Sequence, residues 1–274
     1  MGILYVVATP IGNMSDITQR AVQTLSGVDF VACEDTRVGG KLLNLLGIKK
    51  PLVPYHEHNK RHFGEEIIKR LQSGENCALI TDAGTPAISD PGEDLVKLCH
   101  DNGITVVPIP GACSAAAALS VSGIGCKRFC FEGFLPENNS EKEKYLASLA
   151  KEKRAMVFFS PPHDLIKVLS SLYAAFGDRQ ATLCKELTKL NEKITLSTLG
   201  RLVDEVKSAG SVKGEYVIVV AGYVPRKEDE FWYNMTVVEH VEHYVNLGMT
   251  KMDAIKAVAS DRGVGKGEIY KKVN

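Results

Sequence analysis

Three stretches of this chain are too irregular, and too rich in glycine and proline, to be simple connections: ATPIGNMSD (8–16), TDAGTPAISDPG (81–92) and IPGACSAA (109–116). Proline fixes φ and glycine admits conformations closed to other residues, so such segments hold main-chain N–H and C=O groups in set directions. That suits a small ligand read through backbone hydrogen bonds. Familiar nucleotide signatures do not fit. The first loop carries only Gly12 where a dinucleotide site needs G-x-G-x-x-G. VGKGE (264–268) lacks the rest of a phosphate loop, with Ser260 in place of its first glycine and Gly267 in place of the closing Ser/Thr.

Other chemistry-bearing residues are weaker pointers. His56, His58 and His62, with Glu57 between the first two, could ligate a metal, but a polar loop entering a helix explains them equally well. Of the seven cysteines, most sit in apolar runs such as VDFVAC and CALIT and read as small buried hydrophobes. Cys126 and Cys130 have no second pair nearby to complete a zinc site. No metal is expected.

The elements that must position the three loops follow from the apolar pattern. ILYVVA, VDFVAC, PLVP, CALIT and ITVVPI read as strands, with helices near 17–26, 38–46, 60–72 and 91–102 between them. Alternating strands and helices with near-continuous apolar strands imply a buried parallel sheet, whose carboxyl-end loops gather on one side. Residues 113–123 (CSAAAALSVSG) predict a small-residue helix able to pack closely. Beyond it FCFEGFLP, AMVFFSPPH, QATLCKEL, KITLSTL and EYVIVVAG predict strands, several following one another directly, with helices near 140–152 and 164–176. That suggests a mixed sheet. The expected organisation is an α/β domain over 1–110, a second α/β domain over 111–224, the charged linker PRKEDE (225–230), and a helical domain over 231–274. In the last, Thr250 and Asp253 can cap a helix that buries Met252, Ile255, Val258 and Ala259 and ends at Gly263. A second short helix through Ile269 and Tyr270 would complete a helix-turn-helix-like hairpin. Residues 241–274 hold six Lys/Arg and four Asp/Glu, a bias that a solvated helix face also explains.

Composition fits a folded protein. Of 274 residues 45% are apolar and 24% charged, with 33 basic and 33 acidic side chains, which excludes long disorder or a fibrous rod. Neutrality also argues against indiscriminate binding to naked nucleic acid. No apolar stretch approaches the ~20 residues of a membrane span. MGILYVVATPIGN has neither a basic leader nor, with Val6 at the sixth position, a myristoylation signal. The expectation is a cytoplasmic protein without a membrane partner.

At these residues the sequence resembles the tetrapyrrole-methylase superfamily, and within it the branch that methylates the 2′-oxygen of a cytidine in the decoding region of 16S ribosomal RNA. The resemblance rests on VATPIGNMSDITQRA (7–21), CEDTR (33–37), ALITDAGTPAISDPG (78–92), PIPGACSAAAALSVSGI (108–124), FEGFLP (131–136), KELTKLNE (185–192) and KGEYVIVVAG (213–222). TKMDAIKAVASDRGVGKGEIY is similar to that branch's helical appendage. The resemblance implies two α/β domains with S-adenosylmethionine in the cleft between them, the small ribosomal subunit as partner, and a homodimer. It implies that the donor meets Pro10, Ile11, Ala83, Gly84, Thr85, Ile88, Cys113 and Ser114, with Phe159, Ser160 and Leu187 approaching from the second domain. Asp82 would accept from the methionine amine or orient its loop. Gly84→Val is then expected to abolish donor binding at little cost in stability, provided the loop is exposed.

In that reaction a ribose hydroxyl attacks a sulfonium methyl, so a base or its electrostatic equivalent is needed. Asp35 stands first among the candidates, ahead of Glu34 and Glu186. Arg37, Lys185 and Lys189 would hold phosphates flanking the target sugar. The chain departs from the family where a Tyr-Glu-Ser-Pro-His-Arg-like string reads Phe159-Ser160-Pro161-Pro162-His163-Asp164, which removes both an acid and a base. Two other readings stand beside this one: a methyltransferase acting on a tetrapyrrole or corrinoid, and a non-catalytic ribosome-binding factor.

Overall fold

A computed structural model describes residues 1–210, 212–225 and 230–273. The chain divides into two units, Met1–Tyr223 and Val224–Asn274. Most of the expected PRKEDE linker, residues 226–229, lies outside the described residues.

The first unit opens with alternating strands and helices: β1 (Ile3–Val7), α1 (Gln19–Gly27), β2 (Phe30–Cys33), α2 (Thr36–Leu45), β3 (Leu52–Pro54), α3 (Lys60–Gln72), β4 (Cys77–Ile80), α4 (Glu93–Asp101) and β5 (Thr105–Ile109). The five strands form one sheet in the order β3-β2-β4-β1-β5, with every pair parallel. The wholly apolar segments FVAC and CALI are buried at every position and occupy interior places in it. Because side chains alternate across a strand, Leu4, Phe30, Ala32 and Leu79 meet Ile67, Leu71 and Leu95 of α3 and α4 on one face. Val7, Val31, Cys33 and Ile80 meet Ala21, Leu25 and Leu43 of α1 and α2 on the other.

A short helix of small residues follows, α5 (Ser114–Val121), and then β6 (Phe129–Phe134), α6 (Asn139–Leu149), β7 (Ala155–Ser160), α7 (Leu165–Phe176), β8 (Gln180–Lys185), β9 (Lys193–Thr198), α8 (Leu199–Ser208) and β10 (Tyr216–Val220). These strands form a second sheet, β6-β7-β10-β8-β9, in which only β6 and β7 run parallel. Met156 and Phe158 pack under Leu146, Leu165, Leu169 and Leu202 of α6, α7 and α8. The other face carries Val157, Cys184 and Val217, which join Ala115, Ala118 and Leu119 of α5. Ile11, from the loop after β1, enters the same cluster, so the first sheet's loop is packed against the second sheet. KITLSTL predicts strand through Leu199, but the strand stops at Thr198 and passes directly into α8. That helix buries Leu199, Leu202, Val203 and Val206.

Among its described residues the second unit has three helices where the sequence predicts a pair: α9 (Val237–Asn246), α10 (Lys251–Arg262) and α11 (Lys266–Val273). Thr236 and Glu239 form a capping box at the start of α9. The Thr250 side chain caps α10 by accepting from Asp253 N–H, and Gly263 ends the helix at φ +62°. Val241, Ala254, Ile255, Val258, Ala259 and Ile269 make the core. Met252, expected on that face, is exposed. At 100° per residue it stands about a quarter turn from the centre of the buried stripe. The ring of His240 is fully buried and stacks on Trp232, and Arg262 Nε donates to its Nδ1 at 3.2 Å.

Candidate active site

The three Gly/Pro-rich loops follow β1, β4 and β5, and the order β4-β1-β5 makes those strands neighbours. The loops are bonded to one another. Thr9 N–H donates to Gly84 O at 2.8 Å, and Gly84 N–H donates back to Thr9 O at 3.2 Å. Thr9 Oγ1 donates to Thr81 O at 3.2 Å, Ala8 N–H to Ile109 O at 3.1 Å, and Thr85 Oγ1 to Ala112 O at 2.9 Å. Gly84 holds φ +90°, and a Cβ there would lie 3.2 Å from Ile11 Cγ2. At Gly111 a Cβ would come within 2.8 Å of the Ala8 Cβ. The glycines thus permit the close approach that joins the loops.

Where this cluster faces the second sheet there is a cavity of about 430 Å³, a size typical of small-molecule sites. On one side stand Asp82, Ala83, Gly84, Thr85 and Ile88, with Cys113 and Ser114 at the start of α5. Opposite are Phe159, Ser160 and Pro161 at the end of β7, with Phe131, Phe134, Tyr216 and Val217. Phe159 is held edge-on between Phe131 and Phe134, with centroids 5.1 and 5.4 Å away. A smaller cavity of about 240 Å³ adjoins it, lined by Pro10, Ile11, Met14, Val38, Leu42 and Lys189 among others. Thr81, Asp82, Ala83 and Glu215 line both.

Nine of the twelve expected donor residues line the larger cavity, and Pro10 and Ile11 line the smaller. Leu187 lines neither; it is buried in the cluster that holds Ile11 and Ala115. Sequence reasoning did not assign Phe131, Phe134, Asp90, Glu215, Tyr216 or Val217 to the site, although all lie in or beside segments that carry the resemblance. Ser160 is buried and donates to Pro161 O. Asp164 pairs with Lys167 at 3.1 Å and His163 at 3.2 Å, so the departure at 159–164 strands no charge.

The acidic residues differ sharply in environment. Asp35 is the N-cap of α2: its Oδ1 accepts from Arg37 N–H at 2.8 Å and its Oδ2 meets Arg37 Nη2 at 2.6 Å. The Arg37 side chain and backbone bonds hold its carboxyl down to about 2. Glu186, in a left-handed conformation at φ +52°, accepts from Glu215 N–H at 2.9 Å and pairs with Lys189 at 2.9 Å. Those partners, the Glu215 N–H foremost, depress its pKa. Glu34 and Asp82 move the other way. Burial, and after it the charges of Asp90 and Asp82, raises Glu34, to which Thr81 Oγ1 donates at 3.5 Å. Burial likewise raises Asp82, which accepts from Asp35 N–H at 3.4 Å. Glu34 lines neither cavity, whereas Asp82 lines both.

Of the expected phosphate contacts, Arg37 has a side chain 90% exposed. Lys189 stands in the smaller cavity, paired with Glu186 and Glu215. Lys185 ends β8, half-buried, opposite Tyr216. Among the described residues no group of three His, Cys, Asp or Glu side chains could hold a metal ion. All seven cysteines are free, and no helix among the described residues is long and apolar enough to cross a membrane.

A parallel sheet whose carboxyl-end loops face a mixed sheet across a ligand-sized cleft is the architecture of a methylase class, and the chain belongs to the Tetrapyrrole (Corrin/Porphyrin) Methylases, matching that family over residues 3–203. Cobalt precorrin-4 methyltransferase shares the fold, with TM-score 0.60 and 20% identity over 80% of this chain and 94% of that one. Diphthine synthase does too, with TM-score 0.61 and 15% identity over 84% and 93%. Within the family the chain is similar to the ribosomal RNA small subunit methyltransferase I of Bacillus subtilis (strain 168), 45% identical over 98% of this chain and 93% of the relative. It is 43% identical to the protein of that name from Haemophilus influenzae (strain ATCC 51907 / DSM 11121 / KW20 / Rd), over 98% and 95%.

Proposed function

We propose that this chain methylates ribosomal RNA of the small subunit, with S-adenosylmethionine as donor and the 2′-hydroxyl of a decoding-region cytidine in 16S RNA as acceptor. The observation that carries the reading is the pair of adjoining cavities, in a chain 41–46% identical to relatives named for small-subunit rRNA methylation. The larger cavity fits an adenosyl sulfonium. Backbone groups of Ala83, Gly84, Thr85, Cys113 and Ser114 offer fixed donors and acceptors, and Ile88, Phe159 and Val217 offer apolar walls. When bound, the donor supplies an electrophilic methyl group. Leu187 packs in the buried cluster that holds Ile11, Ala115 and Val217 rather than touching the donor.

The smaller cavity suits the acceptor nucleotide. Met14, Val38 and Leu42 offer a face for a base, and Lys189, with exposed Arg37 beyond, offers cations for its phosphates. A base for the hydroxyl proton must stand where the two spaces meet, since geometry comes before pKa. Asp82 stands there, with its proton affinity raised by burial. We therefore assign the proton to Asp82, with Glu34 behind it bonded to Thr81. This departs from the expectation from sequence, in which Asp35 stands first, ahead of Glu34 and Glu186, and Asp82 is a donor contact: Asp35 is engaged as a helix cap neutralised by Arg37, and Glu186 is held by Glu215 N–H and Lys189. Positioning supplies much of the acceleration, as alignment of two reactants is worth about 7–11 kcal/mol at best.

The test is transfer of labelled methyl from donor to small subunits lacking the modification, followed by digestion to nucleosides. Label in 2′-O-methylcytidine is expected. Label on a base would contradict the regiochemistry, and absence of transfer would contradict the whole reading.

A further inference from the structure

Away from the cleft, at the amino-terminal ends of β6 and β7, the surface carries a concentration of cations that the neutral composition does not foreshadow. Lys127, Arg128, Phe129 and Arg154 line an open depression. Parallel pairing of Phe129 with Ala155 brings the segments preceding the two strands side by side, adding Lys151 and Lys153. All five cations are exposed. The carboxylate within these segments, Glu152, is bonded to Arg154 through both oxygens, at 2.8 Å each. Glu132, further along β6, accepts from the Tyr145 hydroxyl. Lys127, Arg128, Lys151 and Lys153 have no ion pair among the described residues, and Phe129 is 47% exposed between them.

One strand joins this patch to the cleft: β6 begins at Phe129 in the depression and ends at Phe134 in the larger cavity. Five residue steps of roughly 3.3 Å separate the two sites by about 17 Å. The smaller cavity, given above to the acceptor nucleotide, adjoins the larger one, so a polymer with one nucleotide there reaches the patch within several duplex steps of about 3.4 Å each. The patch offers what such a polymer's backbone needs, unpaired cations for phosphates and an aromatic face for a base.

We propose that Lys127, Arg128, Lys153 and Phe129 form a second RNA-binding surface, which grips the sugar-phosphate backbone of the rRNA segment flanking the nucleotide held in the cleft. The proposal rests on the rRNA reading above. It makes binding of the substrate depend on residues remote from the reacting atoms.

The experiment compares the unaltered protein with a Lys127→Ala/Arg128→Ala double variant in methyl transfer to small subunits across a series of salt concentrations. A control variant, Lys69→Ala/Lys207→Ala, removes two cations elsewhere. For the patch variant KM should rise roughly tenfold and the log–log salt slope should flatten by about 1 to 2, with kcat and donor affinity unchanged. The control should match the unaltered protein. Equal KM and slope in the patch variant, or an equal loss in the control, would overturn the proposal. A raised KM with an unchanged salt slope would assign the patch to a protein of the subunit and overturn it as well. Absence of transfer by the unaltered protein would instead remove the rRNA reading on which the proposal stands.

Discussion

Thr9 and Gly84, in the loops that follow the neighbouring strands β1 and β4, exchange both of their backbone hydrogen bonds, at 2.8 and 3.2 Å. This reciprocal pair ties the loop after β1 to the loop after β4 at the floor of both cavities, and it exists because residue 84 can hold φ +90°.

Gly84→Val should therefore damage more than ligand binding. The sequence-based expectation of little stability loss depended on an exposed loop, and Gly84 is buried. A branched side chain would be forced into a left-handed conformation with its Cβ against Ile11, a strain of about 1–3 kcal/mol. Thermal melting should show a lower Tm, and calorimetric titration a loss of donor affinity. An unchanged Tm would show that the loop relaxes freely.

Asp82→Asn separates chemistry from binding. Turnover should fall by roughly 10²–10⁴ while donor affinity is retained. In the unaltered protein kcat/KM should fall with acid around a midpoint above the ordinary 3.8 of an aspartate. Normal turnover in the variant, or a fall in donor affinity matching the fall in rate, would remove Asp82 from the proton's path.

Asp35 should behave as a cap. Asp35→Asn keeps an acceptor for Arg37 N–H and should preserve most of the rate, whereas Asp35→Ala should lower Tm. Its depressed carboxyl contributes stability that is complete above 3.8 and is lost as pH falls toward about 2. Acid titration of the Ala variant should show a shallower loss over that window. A collapse of kcat in the Asn variant with an intact Tm would restore Asp35 as the base.

The helical unit carries its own pH dependence. Burial, and then the Arg262 charge, lower the pKa of His240, against the pull of Asp261. A histidine held neutral stabilises above its ordinary 6.5 and loses that stabilisation as pH falls. Amide exchange at Val241 and Ile255 should be faster at pH 5 than at pH 7, after correction for the intrinsic rate. Equal protection at both would contradict this.

Much of this organisation was legible in the residues. The three loops announced themselves by glycine and proline, and FVAC and CALI read as buried strands because no polar residue interrupts them. The spacing Leu199, Leu202, Val203, Val206 also encodes a helix face, but the β-branched run before it masked the change of period. What no local pattern encodes is strand order, and the loops meet only because β1 lies between β4 and β5. The split among Glu34, Asp35 and Asp82 was hidden for a similar reason. Adjacent carboxylates in one string point to different surroundings, one capping a helix and another facing buried neighbours.

The most direct measurement is a crystal structure of the protein with S-adenosylmethionine. The donor should occupy the cavity between Gly84, Ser114 and Phe159, with its methyl group turned toward Asp82 and the smaller cavity. Donor density elsewhere, or none at saturating concentration, would contradict the assignment of the cleft.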